Sequence, residues 1–129
     1  MKFTIEHRDR VAIVTSTVEK LDALHAPDLK AELVQLVKAG HLNIILDLNE
    51  SRYCDSSGLS AVLVGNRMCR DERGTFVLCG LQPTVEKLVQ ISQLDRVLNI
   101  TPTLDEAVDF VYMDATEKEL GTSNESSEG

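Results

Sequence analysis

Asn43-Ile44-Ile45-Leu46-Asp47-Leu48 is a short apolar run that lacks the alternation of a half-exposed strand. A run of this kind suits a strand covered on both faces, as in the middle of a parallel sheet. It is therefore read as the central strand, and the rest of the chain must supply its neighbours and two covering layers.

Phe3, Ile5 and His7, then Val11, Ile13 and Thr15, alternate with their neighbours at period two, and Arg8-Asp9-Arg10 between them suits a hairpin turn. After Leu21-Asp22, the spacing of Leu29, Leu33, Leu36 and Val37 predicts a helix from about Ala26 to Ala39, with Pro27 in its first turn and Gly40 just past its end. Beyond the central strand, Asn49 to Cys54 reads as a polar loop. Asp55-Ser56-Ser57-Gly58 then opens a helix patterned by Leu59, Val62, Leu63, Met68 and Cys69 that ends at Gly74. Thr75 to Cys79 is the next strand, Pro83 opens a third helix with Val85, Leu88, Val89 and Ile91 on its buried face, and Val97 to Ile100 reads as a last strand. Thr103 and Glu106 form a capping box ahead of Leu104, Ala107, Val108 and Val111. The order ββαβαβαβα predicts an α/β fold: a mainly parallel sheet of four to five strands, right-handed crossovers and about four helices.

A chain of 129 residues that is 43% hydrophobic is sized for one core, so a single domain is expected. Its formal net charge of −8 repels phosphate backbones and anionic lipid, which argues against direct nucleic-acid or membrane binding. Half of that surplus lies in Asp114, Glu117, Glu119, Glu125 and Glu128, offset only by Lys118. Ala115 and Leu120 are the apolar side chains there, too few to offset the entropy of ordering the segment. The domain is accordingly expected over residues 1–113, with a disordered acidic tail over 114–129. Cys54, Cys69 and Cys79 are odd in number and lack a zinc or redox spacing, which fits a reduced cytoplasmic setting. No apolar stretch approaches the ~18 residues of a membrane span, and no export signal is visible.

Chemistry concentrates at Asp55-Ser56-Ser57-Gly58-Leu59. The carboxyl end of the central strand delivers two hydroxyls to a helix N-terminus, where amide donors and the helix dipole would tolerate an added phosphate. The same residues also read as an ordinary N-cap, with Gly58 permitting close packing. A hydrolase is the weakest reading: His7, His25 and His41 show no spacing that brings a base to the serines, and the nucleophile-elbow glycines are missing. The seven glycines form no nucleotide-binding fingerprint, and Asp47, Glu50 and Asp55 lack a metal-ligand spacing, so neither cofactor nor metal is expected.

Taken together, Ile44-Ile45-Leu46-Asp47-Leu48 followed by Asp55-Ser56-Ser57-Gly58-Leu59 resembles the signature of STAS domains, in particular the stand-alone bacterial anti-sigma factor antagonists. Leu21-Asp22, Ala26, Leu29-Lys30 and Ser92-Gln93-Leu94 are similar as well, so the resemblance spans about residues 3–112. Val18 to Leu21 lacks the glycine common before this segment in the family, Ser60 stands where a second glycine is common, and Pro27 sits early in the first helix. The resemblance implies that Ser57 is phosphorylated by a partner that is both serine kinase and anti-sigma factor. The unphosphorylated protein would capture that partner and free the sigma factor, and a metal-dependent serine phosphatase would reset it. No catalytic activity of its own is implied. Asp22, Asp55, Ser56, Gly58 and Leu59 would shape the docking loop. Ser60, Ala61, Val64 and Arg67, lying between the buried positions of the following helix, would extend it. A monomer is expected, with a weak dimer as the alternative; the competing functional reading is a STAS subunit of another signalling complex or of a lipid-transport system.

Overall fold

The structure, a computed structural model, describes the backbone of residues 2–128 and side chains as far as Leu120. Strands β1 (Phe3–Arg8) and β2 (Val11–Ser16) form an antiparallel hairpin closing at Arg8 and Val11, with Arg10 taking the left-handed conformation (φ 66°) that the tight turn requires. Next come β3 (Lys20–Leu21), α1 (Ala26–Lys38), β4 (Asn43–Asp47), β5 (Tyr53–Cys54) and α2 (Ser56–Asp71). The chain continues through β6 (Thr75–Cys79), α3 (Pro83–Ile91), a 3-10 turn at Leu94–Arg96, β7 (Asn99–Thr101) and α4 (Leu104–Glu128). The main sheet has five strands in the order β1-β2-β4-β6-β7, parallel except for the β1–β2 pair. The apolar run thus occupies the middle strand, β4, with Ile45 paired to Ile13 on one side and Val77 on the other.

Period-two alternation divides each inner strand between two cores. Val14, Ile44, Leu46, Phe76 and Leu78 face Leu29 and Leu33 of α1 and Val62 of α2. Ile13, Ile45, Val77 and Cys79 face Ala107 and Val111 of α4. Burial on both faces explains why β4 reads as a continuous apolar run, and at ~1.5–3 kcal/mol per large side chain it dominates the stability of the fold. Buried Ser16 and Ser51 share a 2.8 Å hydrogen bond, and Ser51 Oγ also donates to the Val18 carbonyl at 2.7 Å, pinning the turn after β4 to the end of β2.

Three expectations require correction. The segment Asn49–Cys54 is not all loop: β5 pairs in parallel with β3, matching Lys20 to Tyr53 and Leu21 to Cys54. The last strand starts at Asn99, since the backbone turns through Gln93 (φ 60°) into the 3-10 turn and the Leu98 amide bonds back to the Leu94 carbonyl. Ile91, expected on the buried face of α3, is 69% exposed. The helix α4 continues past residue 114, the expected domain boundary, and the side chains of residues 121–129 lie outside those described. Lys118 Nζ donates to the carbonyls of Arg73 (3.2 Å) and Gly74 (2.7 Å), and Thr75 Oγ1 donates to the Asp114 carboxylate.

Candidate functional site

Parallel strands converge with their carboxyl ends on one edge of the sheet, and the turn after β4 delivers the chain there to β5 and α2. The Asp55 amide donates to the Leu21 carbonyl at 3.3 Å, and the Arg52 and Tyr53 amides both donate to the Glu19 carbonyl. The short β3–β5 pair therefore holds the segment before α1 against the start of α2. Gly58 makes that approach possible: a Cβ there would lie 2.3 Å from the Leu21 carbonyl oxygen and 2.7 Å from Cys54 Sγ.

Asp55 is the N-cap of α2. Its backbone is extended (φ −112°, ψ −172°) and Oδ1 accepts from the amides of Ser57 (2.9 Å) and Gly58 (3.1 Å). The capping reading of this segment is thus seen directly, and the cap consumes amides that could otherwise bind an anion. Ser56 is exposed and Ser57 half-buried, and the Ser57 hydroxyl has no hydrogen-bond partner among the described residues. Ser60 Oγ donates to the Ser56 carbonyl at 2.9 Å. Burial raises the Cys54 thiol to about 12, with nearby Asp55 adding to the effect, so the neighbouring sulfur is no nucleophile at neutral pH.

Asp22 lies on the same edge. Its Oδ1 accepts from the Leu24 amide at 3.1 Å and is 3.0 Å from His25 Nδ1. Desolvation works against its ionisation, but the hydrogen bonds from His25 and Leu24 outweigh it and hold the carboxyl below its ordinary value. His25 is thereby committed to Asp22 and the Lys20 carbonyl. The histidines are less scattered than their spacing suggests, since His7 and His41 stack with centroids 4.7 Å apart, but that pair lines a cleft beside Gly40 and Asn43, at the opposite end of the sheet. Asp47 Oδ1 accepts from the Asn49 amide, and no group of three His, Cys, Asp or Glu side chains among the described residues could hold a metal ion.

The expected docking residues divide into two sets. Asp22, Asp55, Ser56, Ser60 and Arg67 are exposed or partly so, whereas Gly58, Leu59 and Ala61 are buried and support the surface from beneath. Ala61, at 3% exposure, is a correction to its expected place on the open face of α2, caused by the close packing of α1 against α2. Val64 is half-buried and lines, with Ala26, Pro27, Lys30, Ser57 and Ser60, a groove of about 380 Å³ between these helices. Two exposed apolar side chains went unpredicted: Leu24, 75% exposed in the β3–α1 turn, and Tyr53, with Lys20 Nζ 6.0 Å from its ring. Leu24 carries a signal in retrospect, an apolar residue in a turn with no periodic partner; Tyr53 depended on recognising β5.

The carboxyl edge of this α/β sheet thus presents a serine with an uncommitted hydroxyl, next to a helix cap and beside an open groove. The family model described as the STAS domain matches residues 2–107, and the chain belongs to that family. BtrV of Bordetella bronchiseptica, described as a candidate anti-sigma factor antagonist, is 33% identical over 92 residues, covering 71% of this chain and 78% of its own. The anti-sigma-B factor antagonist of Listeria monocytogenes is 32% identical over 97 residues, covering 74% and 84%. The Bacillus cell fate determinant SpoIIAA, solved in its phosphorylated form, superposes with a TM-score of 0.66 at 25% identity, covering 84% of this chain and 98% of that one. Regulatory binding proteins of this kind are the company the chain keeps, and no described helix is long and apolar enough to cross a membrane.

Proposed function

We propose that this chain is an anti-sigma factor antagonist switched by phosphorylation of Ser57. The observation that carries the reading is the Asp55 cap, which fixes Ser57 at the rim of the α1–α2 groove with its hydroxyl uncommitted. In the unmodified state the edge formed by Asp22, Asp55, Ser56, Ser57, Ser60, Val64 and Arg67 docks an anti-sigma factor that is also a serine kinase, in the cytoplasm. The sigma factor is then released. The kinase transfers the γ-phosphoryl group of ATP to Ser57 Oγ, the hydroxyl proton passes to a base on the kinase, and ADP leaves. A serine phosphatase hydrolyses the ester and restores the hydroxyl with release of inorganic phosphate.

Electrostatics alone makes this an effective switch. A phosphoserine brings about −1.5 to −2 charges beside Asp55. Like charges at ~4 Å cost about 1 kcal/mol in water and about 4 kcal/mol at a surface of intermediate dielectric. At about 1.4 kcal/mol per decade, an acidic group that the partner brings to this doubly negative edge weakens docking roughly ten- to a thousandfold without refolding.

Incubation with its cognate kinase of the anti-sigma factor type, ATP and magnesium should place one phosphate on Ser57, located by mass spectrometry. Ser57→Ala should bind that kinase constitutively and Ser57→Asp poorly; equal affinity of the two would overturn the switch. Modification confined to Ser56 would move the acceptor by one residue and leave the electrostatic argument in place.

A further inference from the structure

Modification of Ser57 poses a charge problem that the helix terminus does not solve. The amides of Ser57 and Gly58, the natural cradle for an anion at the start of α2, already donate to Asp55 Oδ1. A phosphate there meets a carboxylate and lacks its usual donors. Across the groove the situation differs. Of the side chains lining it, Lys30 of α1 alone carries a charge, and it shares that lining with Ser57 of α2. Lys30 is exposed and makes no ion pair among the described residues. Arg52, Arg67, Arg70 and Lys38 are further cations on neighbouring elements but do not line the groove, and the remaining charged groups have contacts of their own or carry the wrong sign. Asp28 pairs with Lys2 at 2.9 Å, His25 with Asp22, Lys20 sits over Tyr53, and Asp55 is the cap itself.

We propose, on the reading that Ser57 is the acceptor, that Lys30 is the cation that receives the phosphate, so that modification bridges α1 and α2 and fills the groove with an internal ion pair. Phosphorylation would then remove the docking groove as well as add charge at its rim. A lysine suits this role because three donors on a flexible stem follow a phosphate without a fixed approach geometry.

Phosphoserine incorporated at position 57 during translation allows a test that needs no kinase. It therefore fails or succeeds separately from the question of whether a kinase modifies Ser57. The phosphorus resonance is titrated between pH 4 and pH 8 in the full-length chain at low salt. A phosphomonoester ionises a second time near pH 6, and an ammonium group in contact lowers that midpoint by about half a unit. Asp55 acts on every variant alike, so differences isolate the lysine. Lys30→Gln should raise the midpoint by about half a unit and Lys30→Arg should restore it. Lys38→Gln, two turns along α1 at ~12 Å, removes the same formal charge and should leave it in place. A Lys30→Gln midpoint equal to that of the unsubstituted chain, or an equal displacement by Lys38→Gln, overturns the proposal.

Discussion

At the scale of single residues, Gly58 is the tightest constraint on the site. An added Cβ would fall 2.3 Å from the Leu21 carbonyl oxygen and 2.7 Å from Cys54 Sγ, and only the sulfur can rotate away. Gly58→Ala must therefore push α2 off the β3–β5 pair, an overpacking strain of ~1–3 kcal/mol. Part of that strain falls on the 3.3 Å hydrogen bond from the Asp55 amide to the Leu21 carbonyl. Thermal unfolding should show a loss of that size, and Cys54→Ala should recover little of it because the backbone contact remains. Full rescue by Cys54→Ala would mean that the sulfur, and not the backbone, sets the approach. The sequence suggested that glycine here permits close packing, but not against what, because the atoms it avoids lie 37 residues earlier at Leu21 and in the unforeseen strand β5.

At the scale of elements, the groove belongs to neither helix alone. Helical spacing identified α1 and α3, which each bury one face at a period of 3.6, and short apolar segments identified β4 and β6, which are buried on both faces. The β3–β5 pair has two residues per strand, too few for any period, and it is held by backbone hydrogen bonds that any side chain could make. It nevertheless sets the distance between Asp22 and Ser57. Val64 shows the same dependence on packing: patterning put it on the open face of α2, and α1 turns it into a groove wall. Val64→Glu should keep the fold, because the half-buried position lets the carboxylate reach solvent. A partner docked on the groove loses an apolar contact and meets a second negative charge near Asp55, so capture should weaken at least tenfold. A binding isotherm unchanged from that of the original chain, at equal melting temperature, would take the groove out of the interface.

At the scale of the molecule, half of the net charge of −8 falls in residues 114–129, and the part of that segment nearest the domain packs against it. Helix α4 carries Asp114 and Lys118 back to the amino end of β6, where Lys118 Nζ lies 3.0 Å from Asp114 and 3.1 Å from Thr75 Oγ1. These contacts join residues about 40 positions apart through polar atoms, so neither hydropathy nor local spacing could reveal them. Thr75 is buried, and removal of residues 114–129 strips Asp114 and Lys118 from its hydroxyl and Lys118 from the Gly74 carbonyl. Loss of partners by one buried hydroxyl costs ~1–3 kcal/mol, which at about 4 °C per kcal/mol for a chain of this size lowers the melting temperature by roughly 4–12 °C. The exposed Arg10–Glu119 pair, at 3.4 Å, adds little to this sum. Truncation after Leu120 keeps Asp114 and Lys118 and should melt close to the full chain. Both truncations should capture the partner with unchanged affinity, because Thr75 begins the strand whose other end, Cys79, lies toward the docking edge. Equal melting temperatures for the chains ending at 113 and at 120 would return the domain boundary to residue 113, and weakened capture by the shorter chain would extend the interface to the far end of the sheet.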